Sequence, residues 1–282
     1  MTERLWFLIP ELVVLVGAVS CAILGVSRSV TVRRSLPIVA FITLIIAFLA
    51  SSYVYSPASM EAAVGPGAVP LPWLGRIVIP GVVIVGVLLV MVQAGFIDRS
   101  YEGEIAAGET RFNPLRTSRG EYYAFFLLSL CGLMLTAAAP DLVWLFLALE
   151  LTSLPTYVMV AISRNDRRAQ EAAMKYFFLG ALSVAIFLFG FALLYGATGT
   201  MELVAMKDVL VARAADTGSI GSLATLGLLL SILGIAFKLA AAPFHLYAPD
   251  VYEGAASQVT AFLGFVPKAG GAIALMLILS VT

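Results

Sequence analysis

Long apolar stretches separated by short polar connections make up almost the whole chain. A membrane-spanning α-helix needs about 20 consecutive, mainly apolar residues. Eight stretches approach or exceed this length, and we therefore predict an all-α protein with about eight transmembrane helices. The predicted spans are residues 6–26, 36–55, 77–97, 122–138, 142–162, 172–198, 220–249 and 255 to the end of the sequence.

The seventh span differs from the others because it is longer than one crossing requires and contains Lys238, Pro243 and His245. A proline inside a helix lacks the amide donor for the carbonyl four residues earlier, here that of Leu239, so the helix kinks or breaks. Irregular backbone at membrane depth persists only where protein or water satisfies it. We therefore predict two helical pieces with a non-helical join at residues 240–243.

Two of the connections are polar and long enough to have structure of their own. The segment 97–120 carries four acidic residues and four arginines and is predicted to be a solvated loop. The segment 201–216 has apolar residues at helical spacing, which fits either a short interfacial helix or an ordinary loop.

The composition agrees with this membrane assignment. The 282 residues are 61% hydrophobic and 12% charged, with a mean hydropathy of +1.01, whereas globular chains are nearer 45–50% apolar and 25% charged. The formal net charge is zero, so the chain offers no basic face for nucleic acid.

Cationic residues are distributed unequally between the two sides of the predicted spans. Connections after spans one, three and five hold ten arginines, whereas the opposite side holds four cations. By the positive-inside rule, the ten face the cytoplasm and the N-terminus lies outside. The three remaining cations of the chain lie within spans: Lys175, Lys238 and Lys268.

The sequence contains none of the short motifs that hold redox cofactors. Cys21 and Cys131 are far apart in apolar segments, which favours buried packing over a metal or iron–sulfur site. No glycine-rich dinucleotide fingerprint follows a strand pattern, and no Walker loop is present. Redox chemistry is therefore predicted to take place in another subunit.

Glu11 and Asp141 lie near span ends, which favours interfacial or structural roles.

Three spans combine an ionisable residue at mid-depth with a nearby proline. A lysine there costs about 2.5–3.5 kcal/mol on insertion scales, and spanning a bilayer does not require it. The repeated combination therefore indicates a proton path. The pairs are Glu150 with Pro155, Lys238 with Pro243, and Lys268 with Pro267.

The alternative for each lysine is that its long side chain reaches the interface, which is called snorkelling. Lys175 lies near the start of its span, so both interpretations remain open for it. The depth of Lys238 and Lys268 favours function, and Glu150 has too short a side chain to snorkel, so it needs a buried partner or a proton. His245 is either a satisfied core histidine or a proton carrier.

A buried lysine beside a carboxylate forms a chemical switch. Burial disfavours the charged ammonium and the neighbouring carboxylate favours it, so withdrawing or neutralising the carboxylate releases the proton. We expect Glu150 and Lys238 to face each other, with roughly 3–6 Å between carboxylate and ammonium. His245 or bound water would then carry the proton towards Lys268.

Several strings in the second half of the sequence carry a family resemblance. DLVWLFLALELTSLPTYVMVA, EAAMKYFFLGALSVAIFLFGFALLYGATGT, FKLAAAPFHLYAPDVYEGA and VTAFLGFVPKAG resemble the antiporter-like membrane subunits of bacterial NADH-quinone oxidoreductase, or respiratory complex I, and within them the subunit N family. The resemblance is strong from about Arg119 to Lys268 and loose before it.

The resemblance implies an antiporter-like fold and a role for each matching residue. It equates Glu150 with the glutamate of the fifth helix, Lys175 with the lysine of the sixth, Lys238 with that of the broken seventh, and Lys268 with that of the eighth; His245 matches the histidine after the break. It divides the chain into residues 1–120, with three helices and a polar loop, and 121–282, the first of two inverted repeats. The family is longer, so the chain is expected to be its N-terminal part, lacking the second repeat.

The resemblance also implies a function and partners. It implies a multi-pass inner-membrane subunit of a proton-translocating enzyme that binds no cofactor itself, with NADH, flavin, iron–sulfur clusters and quinone held elsewhere in the complex. The implied partners are the M-, K- and J-type membrane subunits and the lipid bilayer. Alternatives are a subunit of an Mrp-type cation/proton antiporter or membrane-bound hydrogenase, and a structural subunit that transports nothing.

The chain departs from the family at Ala256 and Gln258, where prolines are common.

Overall fold

The fold is a bundle of helices. The computed structural model describes residues 6–56, 71–95, 97–110, 113, 117–164, 166–242 and 244–281, and within them it contains no β-strand, only an isolated bridge between Asp141 and Glu202. The α-helices are α1 (Ile9–Gly25), α2 (Val30–Arg34), α3 (Leu36–Val54), α4 (Leu71–Gln93), α5 (Arg99–Ala106), α6 (Arg119–Ala137), α7 (Leu142–Ile162), α8 (Arg167–Thr198), α9 (Leu203–Thr217), α10 (Ser222–Lys238), α11 (Tyr247–Gly254) and α12 (Ser257–Leu279).

An apolar helix occupies each of the eight predicted spans. Within the described residues, six helices (α3, α4, α6, α7, α8 and α12) are long and apolar enough to cross a membrane, and α1 and α10 are shorter apolar helices. The protein is therefore a helical membrane protein.

The helix α8 begins earlier than the sequence pattern predicted. It starts at Arg167 rather than at residue 172, because the Oδ1 atom of Asp166 accepts a hydrogen bond from the amide of Ala169 at 2.8 Å and caps the helix. This hydrogen bond and the nearby Arg164 guanidinium lower the pKa of the Asp166 carboxyl. The cap is therefore ionised at neutral pH, and its contribution to stability is lost only as the pH falls through that lowered value.

The predicted interruption of the seventh span is confirmed. The helix α10 ends at Lys238, Ala240 adopts a left-handed conformation with φ of 52°, and a 3₁₀ turn at Phe244–Leu246 leads into α11. Pro243, from which the break was predicted, lies outside the described residues. The break places Lys238 at the C-terminal end of a helix rather than in the middle of one.

The polar connections are more ordered than the sequence suggested. The segment predicted to be a solvated loop contains α5, and the carboxylate of Asp98 accepts hydrogen bonds from Thr117, Ser118 and the amide of Arg119. These bonds fix the start of α6. In the next polar connection the helical alternative is confirmed, because α9 forms there and buries Leu203, Met206 and Leu210.

Small residues bring the central helices into backbone contact. A Cβ atom built on Gly190 of α8 would lie 2.5 Å from the amide nitrogen of Ser231 on α10, and one on Gly132 of α6 would lie 2.4 Å from the amide nitrogen of Thr152 on α7. Near the other end of α6, Gly120 makes a similar contact with Gly25 of α1. Such close contacts are a common means of helix association in membranes. Lipid tails are as apolar as the side chains, so the hydrophobic effect does not drive the helices together.

The contact at Gly190 predicts a position-specific effect on stability. Gly190→Ala is expected to lower the free energy of unfolding by about 1–3 kcal/mol, because the new methyl group forces α8 and α10 apart. Gly264→Ala is the matched control, since a Cβ atom there meets nothing within 4 Å. Thermal unfolding in lipid or detergent measures both variants, and equal midpoints would contradict the packing described here.

Candidate functional site

Lys238 is buried at the end of α10 and contacts two side chains of α7. Its side chain is 6% exposed, and its Nζ atom lies 2.6 Å from Ser153 Oγ and 3.3 Å from Glu150 Oε1. The predicted approach of Glu150 and Lys238 is confirmed, and its distance lies within the expected range. The structure adds a hydroxyl that is closer to the ammonium than the carboxylate is.

The helix α7 presents Glu150 and Ser153 together because residues three apart lie on the same helix face. The Ser153 hydroxyl donates to the carbonyl of Leu149 at 2.7 Å. Its proton is thus engaged, and its oxygen is left to accept from the lysine. Pro155 lies inside α7, and the helix continues past it to Ile162.

A helix end and an aromatic ring near Lys238 stabilise a cation, while burial of the side chain limits access to water. As the last residue of α10, it lies at the negative end of that helix's dipole. Its Nζ atom is 5.6 Å from the centroid of the Phe187 ring on α8, a distance at which an aromatic face attracts a cation. A Cβ atom on Gly271 of α12 would lie 3.2 Å from the Cβ atom of Lys238, so a third helix covers the lysine stem.

Lys268 and His245 lie outside this cluster. Lys268 on α12 is partly buried, and its Nζ atom lies 5.3 Å from the centroid of the Tyr252 ring. His245 is exposed in the 3₁₀ turn. Across the described residues, no hydrogen bond or ion pair links either side chain to Lys238 or Glu150. Their place in a proton path stays a prediction.

Lys175 belongs to a separate ion cluster on the surface of the chain. Its Nζ atom lies 2.6 Å from Asp250 Oδ2 on α11 and 2.9 Å from Glu171 Oε1 one turn earlier, and its side chain is 43% exposed. The lysine therefore connects α8 to the second piece of the broken span. Exposed ion pairs of this kind contribute little to stability, because water and salt screen them.

Three polar residues that contact the predicted lysines were missed from the sequence: Ser153, Glu171 and Asp250. Ser153 could have been identified, because it lies three residues after Glu150 on a predicted helix and therefore on the same helix face. Asp250 lies 75 residues from Lys175 along the chain, and no local pattern connects the two.

The remaining sequence predictions have mixed outcomes. Cys21 and Cys131 are buried free thiols, as expected. Asp141 is structural, because its Oδ1 atom accepts from the amide of Trp144 at 2.7 Å and caps α7. The Glu11 side chain is only 2% exposed, so it lies inside the helix bundle, and its interfacial or structural role stays a prediction. The searched, described residues contain no group of three or more His, Cys, Asp or Glu side chains that could hold a metal ion.

Comparison with known proteins shows the family. A family model described as "NADH:quinone oxidoreductase/Mrp antiporter, TM" matches residues 139–282, which is just over half of the chain. The chain belongs to this family. The matched region contains all five residues that the sequence singled out for a proton path.

Curated members of the NADH:quinone oxidoreductase/Mrp antiporter family extend the match. The chain is 46% identical over 166 residues to NADH-quinone oxidoreductase subunit N of Bacillus anthracis, covering 59% of this chain and 32% of the relative. It is 34% identical over 268 residues to the subunit N of Erythrobacter litoralis, covering 95% of this chain and 51% of the relative. The resemblance to subunit N is confirmed, and the chain spans about half or less of the length of these relatives.

Solved structures of related complexes share the fold. A chain of respiratory complex I from Thermus thermophilus matches with a TM-score of 0.68 and 29% identity, over 95% of this chain and 53% of that chain. A chain of an archaeal membrane-bound sulfane sulfur reductase matches with a TM-score of 0.73 and 22% identity, over 96% and 52% of the two chains. At that identity the second match shows the fold alone.

Proposed function

We propose that the protein is a proton-translocating membrane-arm subunit of an NADH:quinone oxidoreductase of the complex I type. The buried contact of Lys238 with Glu150 and Ser153, at the end of an interrupted helix, is the observation that supports this function most directly. Spanning the membrane does not require a lysine there, whereas a proton path requires a buried group that can bind and release a proton. NADH, flavin, iron–sulfur clusters and quinone belong to other subunits in this proposal, and quinone reduction there drives the proton movement here.

The geometry suggests how the lysine is loaded and released. With Glu150 ionised at 3.3 Å, the ammonium form of Lys238 is stabilised. When Glu150 takes up a proton or moves away, the buried ammonium loses its counter-charge and gives up its proton. The proton then passes towards Lys268, with His245 or bound water as the carrier. Lys175 contributes less directly, since its ammonium is held by Asp250 and Glu171.

The proposal includes an arrangement in the membrane and a division of the chain. We place the protein in the inner (plasma) membrane with its N-terminus outside, next to the M-, K- and J-type subunits of the membrane arm. Residues 1–120 form an N-terminal group of helices, and residues 121–282 form the first antiporter-like repeat. The family match covers residues 139–282, which lie within the proposed repeat.

The orientation predicts which positions react with reagents from each side. In intact cells, Ser219→Cys between α9 and α10 should react with a membrane-impermeant thiol reagent, and Gln170→Cys at the start of α8 should react only after the membrane is opened. Both positions are exposed, and the native cysteines are buried. Labelling of residue 170 in intact cells would reverse the proposed orientation.

Ser153 is predicted to support the loaded state of Lys238. Ser153→Ala removes the nearest acceptor from the ammonium, and a hydrogen bond to a charged group is worth about 1.5–3 kcal/mol. Proton uptake by membrane vesicles should fall about tenfold or more. Ser129→Ala is the matched control, because this buried serine of α6 donates to the carbonyl of Thr152 instead. Equal rates in the two variants would remove Ser153 from the mechanism.

A gene-replacement experiment tests the function itself. Cells without this protein should lose NADH-driven proton uptake in inverted membrane vesicles and regain it when the gene is restored. NADH oxidation with an artificial electron acceptor serves as the control for the remaining subunits. Loss of sodium/proton exchange with intact NADH-driven uptake would favour the Mrp-type antiporter instead. Unimpaired uptake and exchange would favour a structural subunit.

A further inference from the structure

A second buried carboxyl lies in the N-terminal helices, outside the cluster around Lys238. Glu11 is in the first turn of α1, and its side chain is 2% exposed. Both of its carboxyl oxygens are buried and have no hydrogen-bond partner among the described residues. A buried polar group is normally paired, so this exception calls for an explanation.

The described side chains that face Glu11 carry no positive charge, although its place in the first turn of α1 gives a carboxylate some support from the helix dipole. The helix α6 places the Cys131 thiol beside it, 3.5 Å from the backbone carbonyl of Glu11. The chain leaving α3 brings Tyr55, whose hydroxyl donates to the carbonyl of Phe7 at 3.3 Å. Both are neutral groups, and the described structure gives the Glu11 carboxyl no ion pair with a cation. An isolated ionised carboxylate in such surroundings is so unfavourable that the group takes up a proton instead.

The location of Glu11 relates it to the lysine cluster. The helix α6 packs against both α1 and α7. It meets α1 at Cys131 and meets α7 through the Ser129 hydroxyl, which donates to the carbonyl of Thr152 at 2.7 Å. Residues two apart lie on different faces of a helix, so α6 separates the helix that carries Glu11 from the helix that carries Glu150.

We propose that Glu11 is a proton-binding site, distinct from the Glu150–Lys238 pair, whose carboxyl carries an exchangeable proton in the resting protein. The ligand of this site is the proton itself. Its occupancy depends only on the local surroundings of Glu11, so it can be tested without any assay of transport.

Infrared spectroscopy of the complete protein in lipid membranes tests the proposal. The difference between the unmodified protein and Glu11→Gln should contain the carbonyl stretch of a protonated carboxylic acid at neutral pH. The band should lie at the high frequency typical of a weakly hydrogen-bonded acid and should shift in D₂O. As the pH is raised, carboxylate bands should replace it. Glu11→Met, which also removes the carboxyl, should lose the same band.

The control is Glu121→Gln on α6, because Glu121 is exposed and should contribute carboxylate bands only. Carboxylate bands with no acid band in the Glu11→Gln difference spectrum at neutral pH would overturn the proposal, since the carboxyl would then be ionised. An acid band that neither shifts in D₂O nor responds to pH while the protein stays folded would also overturn it. Such a proton would not be exchangeable.

Discussion

Replacing Lys238 by alanine is expected to reduce NADH-driven proton uptake to the background leak of the membrane. The lysine is the buried protonatable group at the centre of the proposed path, and alanine can neither accept nor hold a proton. Lys238→Arg should fail as well, although it preserves the positive charge, because an arginine does not give up its proton. Proton uptake by inverted vesicles, with artificial-acceptor activity as a check on assembly, measures both variants.

Variants of two other lysines serve as a control and a comparison for Lys238→Ala. Lys207→Ala on α9 should leave uptake unchanged, because that side chain is exposed. Lys175→Ala should cause a smaller loss than Lys238→Ala, because it removes one surface cluster and leaves the buried pair intact. Equal losses at Lys175 and Lys238 would contradict this order, and normal uptake by Lys238→Ala would exclude the proposed path.

The second large expected effect is on stability. It shows whether the pair of Glu150 and Lys238 is needed for folding, for transport or for both. Lys238→Met should lower the free energy of unfolding by about 3–5 kcal/mol, because it leaves the Glu150 carboxylate largely buried without its cation. The double variant Glu150→Gln/Lys238→Met removes both charges and should recover most of that loss. It should still transport no protons, since no titratable pair remains.

Thermal unfolding of the two single variants and the double variant gives the coupling between the side chains. If the change in the free energy of unfolding of the double variant equals the sum of the two single changes, Glu150 and Lys238 are not coupled. Restored transport in the double variant would mean that the pair only holds helices together. The combination expected here, recovered stability without recovered transport, distinguishes the proposed function from a structural role.

The main features of the site could be predicted because they follow from membrane physics. A proline in an overlong apolar segment indicates a broken helix, and two isolated charges at similar depth are stabilised most readily by pairing. Boundaries were less predictable. The start of α8 depends on Asp166, which lies in a predicted connection and caps the helix by accepting a hydrogen bond from the amide of Ala169. Asp98 likewise orders a segment whose composition indicated only solvent exposure.

Contacts between distant segments could not be predicted from local pattern. A serine inside a helix usually bonds to its own backbone, and Ser153 does so, but the approach of Lys238 to its free lone pairs depends on how α7 and α10 pack. The burial of Glu11 has a similar origin. Its place near the start of a span gave no sign that α6 and Tyr55, both distant along the chain, would cover it.

The shortness of α10 has a consequence for how the protein is made. Its 17 residues extend about 25 Å at the usual rise of an α-helix, which is less than the roughly 30 Å of hydrocarbon in a bilayer. Because the helix ends on a lysine, it is a weak signal for the machinery that inserts newly made segments into the membrane. We expect it to be retained in the bilayer only once α8 is there to receive it, through the contact between Gly190 and Ser231. The order of synthesis suits this, because α8 leaves the ribosome first.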